Sequence, residues 1–154
     1  MDKVERAVQM LNEVLRRTMN SPAGYVLESS PYFTDADRPI MEAIEALSAT
    51  ARRQAAEAAR RILLLEGVPH GGSYDPEVAD SNYLSVRYLA GKLLARLEGD
   101  IALFEQYREV CEVLEAKDFL TTVIEDDIGH RDQLRRLHDE CGVPSAKQNE
   151  TKTA

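Results

Sequence analysis

Apolar positions recur with a period near 3.6 through four stretches of the chain, which is the signature of helices that each bury one face. The first stripe is Val4, Val8, Leu11, Val14/Leu15, Thr18, then Tyr25 and Val26, ending near Ser29 before Ser30-Pro31. Asp2 with Glu5 three residues on reads as a capping box at its start. Pro22 interrupts it, and Ser21-Pro22 has the form of a fresh N-cap followed by proline at the first helical position, so a kink is predicted over residues 19–22. The second stripe runs from Asp35–Pro39 to Glu66 through Ile44, Leu47, Ala51, Ala55, Ala58, Ile62 and Leu65, with Gly67 as its C-cap and Pro69 beyond. The third starts near Ser81–Asn82 and carries Val86, Ala90, Leu94, Leu97, Ile101 and Phe104. The fourth carries Leu120, Val123/Ile124, Asp127, His130/Arg131, Leu134 and Leu137, and is expected to stop at Gly142 ahead of Pro144.

The connections decide the topology. Gly67–Ser81 is polar and rich in turn residues, and its roughly 15 residues can span about 45–50 Å when extended. A helix of about 27 residues is about 40 Å long, so this segment can run the length of a bundle and leave the second and third helices parallel. Residues 83–138 contain no proline, yet one helix over all of them would measure about 80 Å. A tight turn is therefore placed between Arg108 and Lys117. The predicted fold is all-α, a four-helix bundle with one long crossover between helices two and three, over residues 1–141. The polar tail 142–154 lacks apolar periodicity and is expected to be disordered.

Composition agrees with this and narrows the function. The chain has 154 residues, 44% hydrophobic and 30% charged, with no Trp, 8 Gly and 6 Pro, a mixture that favours helix over sheet. A net charge of −8 argues against a nucleic-acid partner, which needs a basic face. The paired arginines at 16–17, 52–53, 60–61 and 135–136 sit inside that acidic excess and read as salt-bridge partners between helices or subunits. No apolar run is long enough for a membrane span, and the charged opening MDKVERAVQ is unlike a secretory signal. Cys111 and Cys141 show no metal-type spacing, so a cytoplasmic chain with free thiols is expected.

The residues with metal chemistry are few. Asp127-Ile-Gly-His130 places a carboxylate and an imidazole three residues apart on the fourth helix, where both can face inward and bind iron, zinc or manganese. His138 and Cys141 form a second, weaker pair at the end of that helix, and His70-Gly-Gly-Ser-Tyr-Asp-Pro in the crossover reads as a connector without a P-loop pattern.

Three segments resemble the bacterioferritins and align with that family without a gap: Leu11-Asn12-Glu13 through Tyr25, Arg61-Ile-Leu-Leu-Leu-Glu-Gly-Val-Pro69, and Glu125-Asp-Asp-Ile-Gly-His-Arg-Asp-Gln-Leu134. The resemblance covers residues 4–138 and implies a ferritin-like bundle, an iron context, and assembly as a homo-oligomer or a mixed ferritin-like shell. Taken residue by residue, the family's helix-one Glu falls on Thr18, its helix-two Glu and His on Ala51 and Gln54, and its helix-three Glu on Leu94. Its helix-four pair falls on Asp127 and His130. The methionine that ligates haem falls on Arg52, whose guanidinium has no lone pair to give, so haem is not expected. Tyr25 matches the family's tyrosine.

The resemblance thus implies the fold while the residues describe a degenerate ferroxidase centre. Glu57 and Glu98, one helical turn beyond Gln54 and Leu94, are substitute ligands for a shifted site; Glu13, Glu28 and Glu105 are others. The alternative to a metal is a buried polar cluster of Asp127 and His130 with Thr18, Gln54 and Tyr25, satisfied by hydrogen bonds alone. Two functions follow: an iron-storage or iron-handling subunit of ferritin-like kind, or a non-catalytic helical-bundle module that holds no metal.

Overall fold

The computed structural model describes residues 1–29, 31, 33–72 and 85–153, with side chains described up to residue 140. Helix α1 spans Lys3–Met19, α2 Pro22–Glu28, α3 Arg38–Leu64, α4 Val86–Val110 and α5 Leu114–Thr153. Among the described residues there is no strand. The protein is an all-α bundle of four long helices, with α2 a short continuation of α1.

The local reasons are those of the sequence. Asp2 caps α1 by accepting from the Glu5 N–H at 2.8 Å. The kink predicted over 19–22 is a complete break: α1 ends at Met19, and Pro22 opens α2 in the first-turn position where its missing N–H costs nothing. The α4–α5 turn is Cys111–Val113, inside the predicted window, with Cys111 buried and its thiol free. The predicted start of the third helix at Ser81–Asn82 lies outside the described residues. Ser85 caps α4, its hydroxyl accepting from the Tyr88 N–H.

Two ends differ from the sequence reading. At the end of α3 the left-handed residue is Glu66 (φ 61), not Gly67. The Glu66 N–H reaches the Leu63 carbonyl at 3.0 Å and the Gly67 N–H reaches the Ile62 carbonyl at 2.9 Å, which is the Schellman pattern. Gly67 is needed for space instead, since a Cβ there would stand 2.7 Å from the Val8 side chain. At the other end of the chain the backbone of α5 runs past Gly142 and Pro144 to Thr153. A helix can contain a glycine at about 1 kcal/mol, and a proline deletes only its own N–H bond while crowding the carbonyl four residues back.

Ion pairs and hydrogen bonds fix the directions. Gln54 meets Asp127 while Arg61 meets Glu115, so α3 and α5 are antiparallel. Arg6 meets Glu112 while Arg17 meets Asp100, so α1 and α4 are antiparallel too. Asp37, just before α3, is bonded by Arg87 at the start of α4 at 2.5 Å. Helices α3 and α4 therefore begin at the same end and run parallel, and the segment between them must travel the length of the bundle. Its first residues lie over α1. The Asn12 amide donates to the Val68 carbonyl and accepts from the His70 N–H, and the Asn20 amide donates to the Gly71 carbonyl.

The core is divided. One apolar cluster holds Leu11, Val14, Leu15, Ile62, Phe104, Leu120, Val123 and Ile124. The other holds Val26, Ile40, Ile44, Leu47, Val86, Leu89, Leu93, Leu94 and Leu134. Between these two sets every long helix carries polar residues: Thr18 on α1, Ser48, Thr50 and Gln54 on α3, where buried Ala51 sits among them, Asp100 on α4, and Asp127 and His130 on α5.

Candidate functional site

This polar waist is where the chain's unusual chemistry collects. Asp127 is only 4% exposed, because the apolar stripe of α5 turns it inward between Ile124 and Leu134. The Gln54 amide donates to its carboxylate at 3.1 Å from α3. Burial raises the Asp127 pKa to about 7 against the Gln54 bond, which lowers it, and the charges of Asp100 and Asp126 push it up further.

His130, one turn on, engages a different residue. Its Nε2 lies 2.8 Å from the Thr50 hydroxyl, which also accepts from the Arg53 guanidinium at 3.0 Å. Arg53 donates, and the hydroxyl's remaining capacity, one proton and one lone pair, matches either nitrogen form of the imidazole. Burial lowers the His130 pKa, with Asp126 opposing and Arg53 adding to the shift. Thr50, His130, Arg53 and Asp126 line a groove of about 490 Å³ between α3 and α5.

The other sequence candidates lie elsewhere. Thr18 is buried but spends its hydroxyl on the Val14 and Leu15 carbonyls of its own helix. Tyr25 lines, with Thr18, Ser21, Ser48 and Arg52, a separate cavity of about 190 Å³. Neither carries a described bond to Asp127. Glu57 is held by Arg60 and Arg61, whose hydrogen bonds bring its pKa down to about 2. Glu98 is ion-paired with Arg135. His138 lies beside Asp139 and Gly91, and the side chain of Cys141 is outside the described residues. Of the expected cluster, the structure thus joins Asp127 with Gln54 and seats His130 on Thr50. Among the described residues no three His, Cys, Asp or Glu side chains come together as a metal-ligating group.

Sequence reasoning passed over three members of the waist, Ser48, Thr50 and Asp100. Thr50 lies one turn before Gln54, and a hydroxyl at that spacing was its only signal. Asp100 lies three residues after the stripe residue Leu97, and it is held by Arg17 at 2.6 Å and Arg96 at 3.2 Å, with Arg17 also bound to Glu13.

Comparison with solved structures places this architecture. A ferritin-like, diiron-carboxylate protein from Bacillus anthracis str. Ames superposes with a TM-score of 0.74 at 19% identity, covering 90% of this chain and 99% of that one. The chain has a ferritin-like fold. A bacterioferritin of Rhodobacter capsulatus, described with a metal-free dinuclear site and haem iron, gives 0.63 at 20% identity over 88% of this chain and 84% of that one. A dodecameric thioferritin, the bacterioferritin-related protein of Bacteroides fragilis, gives 0.73 at 16% identity over 98% and 92%. No family model matches the sequence, and no curated protein matches it either. The likeness is one of fold.

Proposed function

We propose that this chain is a ferritin-like protein of iron storage or iron handling whose own bundle centre is not a ferroxidase. The iron context is supported by its fold neighbours, which are described as diiron, haem-iron and thioferritin proteins. The observation that carries the second half is the Asp127–Gln54 pair. A di-iron centre needs several carboxylates to neutralise two cations in a low-dielectric interior. Here the waist offers two carboxyls: Asp127, whose pKa is raised to about 7 and which is bonded to an amide, and Asp100, which is taken up by Arg17 and Arg96. The imidazole beside Asp127 is turned to Thr50, and Ala51 and Leu94 present only hydrocarbon. The residues present do not fit a di-iron pair. Haem is likewise not part of this reading, since the exposed Arg52 has no lone pair for iron.

In this reading the chain works in the cytoplasm as a self-assembled oligomer or in a mixed shell with ferritin-like partners. It contributes acidic surface for mineral while iron is oxidised elsewhere. No described helix is long and apolar enough to cross a membrane. The second reading, a structural or interaction module without metal, is favoured by the absence of a metal-ligating group among the described residues.

Fe(II) added in air to wild type and to Asp127→Ala/His130→Ala tests both. The expected result is slow oxidation, equal in the two proteins, with iron retained on a large species. A rapid phase saturating at two irons per chain and lost in the double variant would overturn the claim that the centre is no ferroxidase. A small, iron-free species throughout would favour the structural module.

A further inference from the structure

Ten large apolar side chains are exposed among the described residues; besides the N-terminal Met1, which precedes α1, six of them lie at one end of the bundle. They are Val4 at the start of α1, Leu63 and Leu64 at the end of α3, Val68 just beyond it, and Val110 and Leu114 flanking the α4–α5 turn. The elements that carry them are tied together. Arg6 pairs with Glu112 at 3.0 Å, and the Arg61 guanidinium donates to the Glu115 carbonyl at 3.1 Å. Leu63, Leu64 and Leu114 are 62%, 66% and 69% exposed. The far end of the bundle, where α3 and α4 begin, exposes only Phe33 and Tyr88 of this class.

We infer that this end of the bundle is the face on which another copy of the same chain docks, end against equivalent end. The inference rests on the self-assembly reading above and names its surface. Three observations select a second copy as the occupant. The six side chains leave roughly 600 Å² in water, at the top of what a monomer usually exposes and most of the ~800 Å² each partner gives to a stable interface. The face carries both halves of a fit. A groove of about 290 Å³ lined by Leu64, Leu65, Arg60, Glu115 and Ala116 opens beside the protruding Leu63 and Leu114, and a face with knob and hole together is complementary to itself. At its rim two ion pairs, Arg6 with Glu112 and Arg60 with Glu57, are closed within the chain, so these four charges need no partner from outside. The buried leucines would be the anchors and the ion pairs the solvated border.

Sedimentation velocity over a concentration series tests this with wild type, Leu63→Glu/Leu114→Glu, and Tyr88→Glu at the far end as the control. All three positions are exposed, so folding is checked simply by helical circular dichroism. Wild type and the control should associate alike, and the double variant should dissociate or bind at least about tenfold more weakly. A wild type that stays monomeric at every concentration would overturn the self-assembly reading and this face with it. An oligomer undiminished in the double variant would overturn the face alone. Should the double variant misfold, hydroxyl-radical footprinting of wild type decides: labelling of Leu63 and Leu114 must fall as the oligomer forms, and unchanged labelling refutes the docking. Monomeric wild type that co-sediments with phosphatidylglycerol vesicles would likewise refute it and assign the patch to lipid.

Discussion

Gln54 on α3 donates to Asp127 on α5 across the middle of the bundle, at 3.1 Å, and it is the one side-chain donor bonded to that buried carboxyl among the described residues. One neutral hydrogen bond is too little to keep a buried carboxylate ionised, which is why burial wins and the pKa rises from 3.8 to about 7. An acid whose folded pKa lies above its unfolded value favours the protonated fold. Its cost to stability is absent below about pH 4, grows between the two pKa values, and is complete above about pH 7.

Asp127→Asn removes that cost while keeping an oxygen to accept from Gln54. The variant is expected to match wild type at pH 4 and to exceed it at pH 8. The rise of the carboxyl pKa to about 7 corresponds to at most roughly 4 kcal/mol. Urea unfolding at the two pH values measures it, and equal stability at pH 8 would show that the carboxyl is ionised without penalty in the fold.

His130 acts with the opposite sign. Its folded pKa is lowered from 6.5, so its contribution is intact above the unfolded value and declines as pH falls through that range. His130→Gln keeps an acceptor near Thr50 but cannot take up a charge. In the Asp127→Asn background, this second change is expected to flatten the loss of stability between pH 7 and pH 5. A slope unaltered by it would place the titrating group elsewhere.

Glu66 occupies the left-handed region at φ 61 while closing α3, a conformation glycine adopts freely and other residues do not. Glu66→Gly is expected to stabilise the protein by about 1 kcal/mol. The neighbouring change, Gly67→Ala, is expected to destabilise it by about 1–3 kcal/mol, because its Cβ meets Val8. Thermal unfolding of the two variants should move in opposite directions.

Asn12 holds the first part of the crossover on α1 with one donated and one accepted bond, 3.1 Å to the Val68 carbonyl and 2.7 Å from the His70 N–H. Asn12→Ala should cost about 1–2 kcal/mol. It should also speed amide exchange at residues 68–71 ahead of the helices, and unchanged exchange there would mean that the strap is held by other contacts.

Much of the bundle was legible in the sequence. The four stripes, the proline break after Met19, the α4–α5 turn and the long crossover all follow from periodicity, breakers and the length of a helix against the length of a connection. The waist was legible only in part. Asp127 and Gln54 were named together, and the structure joins them; Thr18 and Tyr25 were named with them, and they face a different cavity. Spacing along one helix says which side chains share a face. It cannot say which residue of the neighbouring helix stands opposite, because a slide or rotation of a few ångströms changes the partner while the stripe stays the same.

The same distinction separates Glu66 from Gly67. Composition marks a glycine as the natural terminator, and only the backbone path shows that the left-handed turn falls one residue earlier. What the sequence by itself determined is the set of helices, their buried faces and their connectivity, since these depend on interactions between residues near in the chain. What the tertiary structure decided is the pairing of Gln54 with Asp127 and Thr50 with His130, the strap held by Asn12, and the gathering of Leu63, Leu64 and Leu114 at one end. Each of these joins residues distant in the chain, and its energy exists only once close-packed helices have set the register between them.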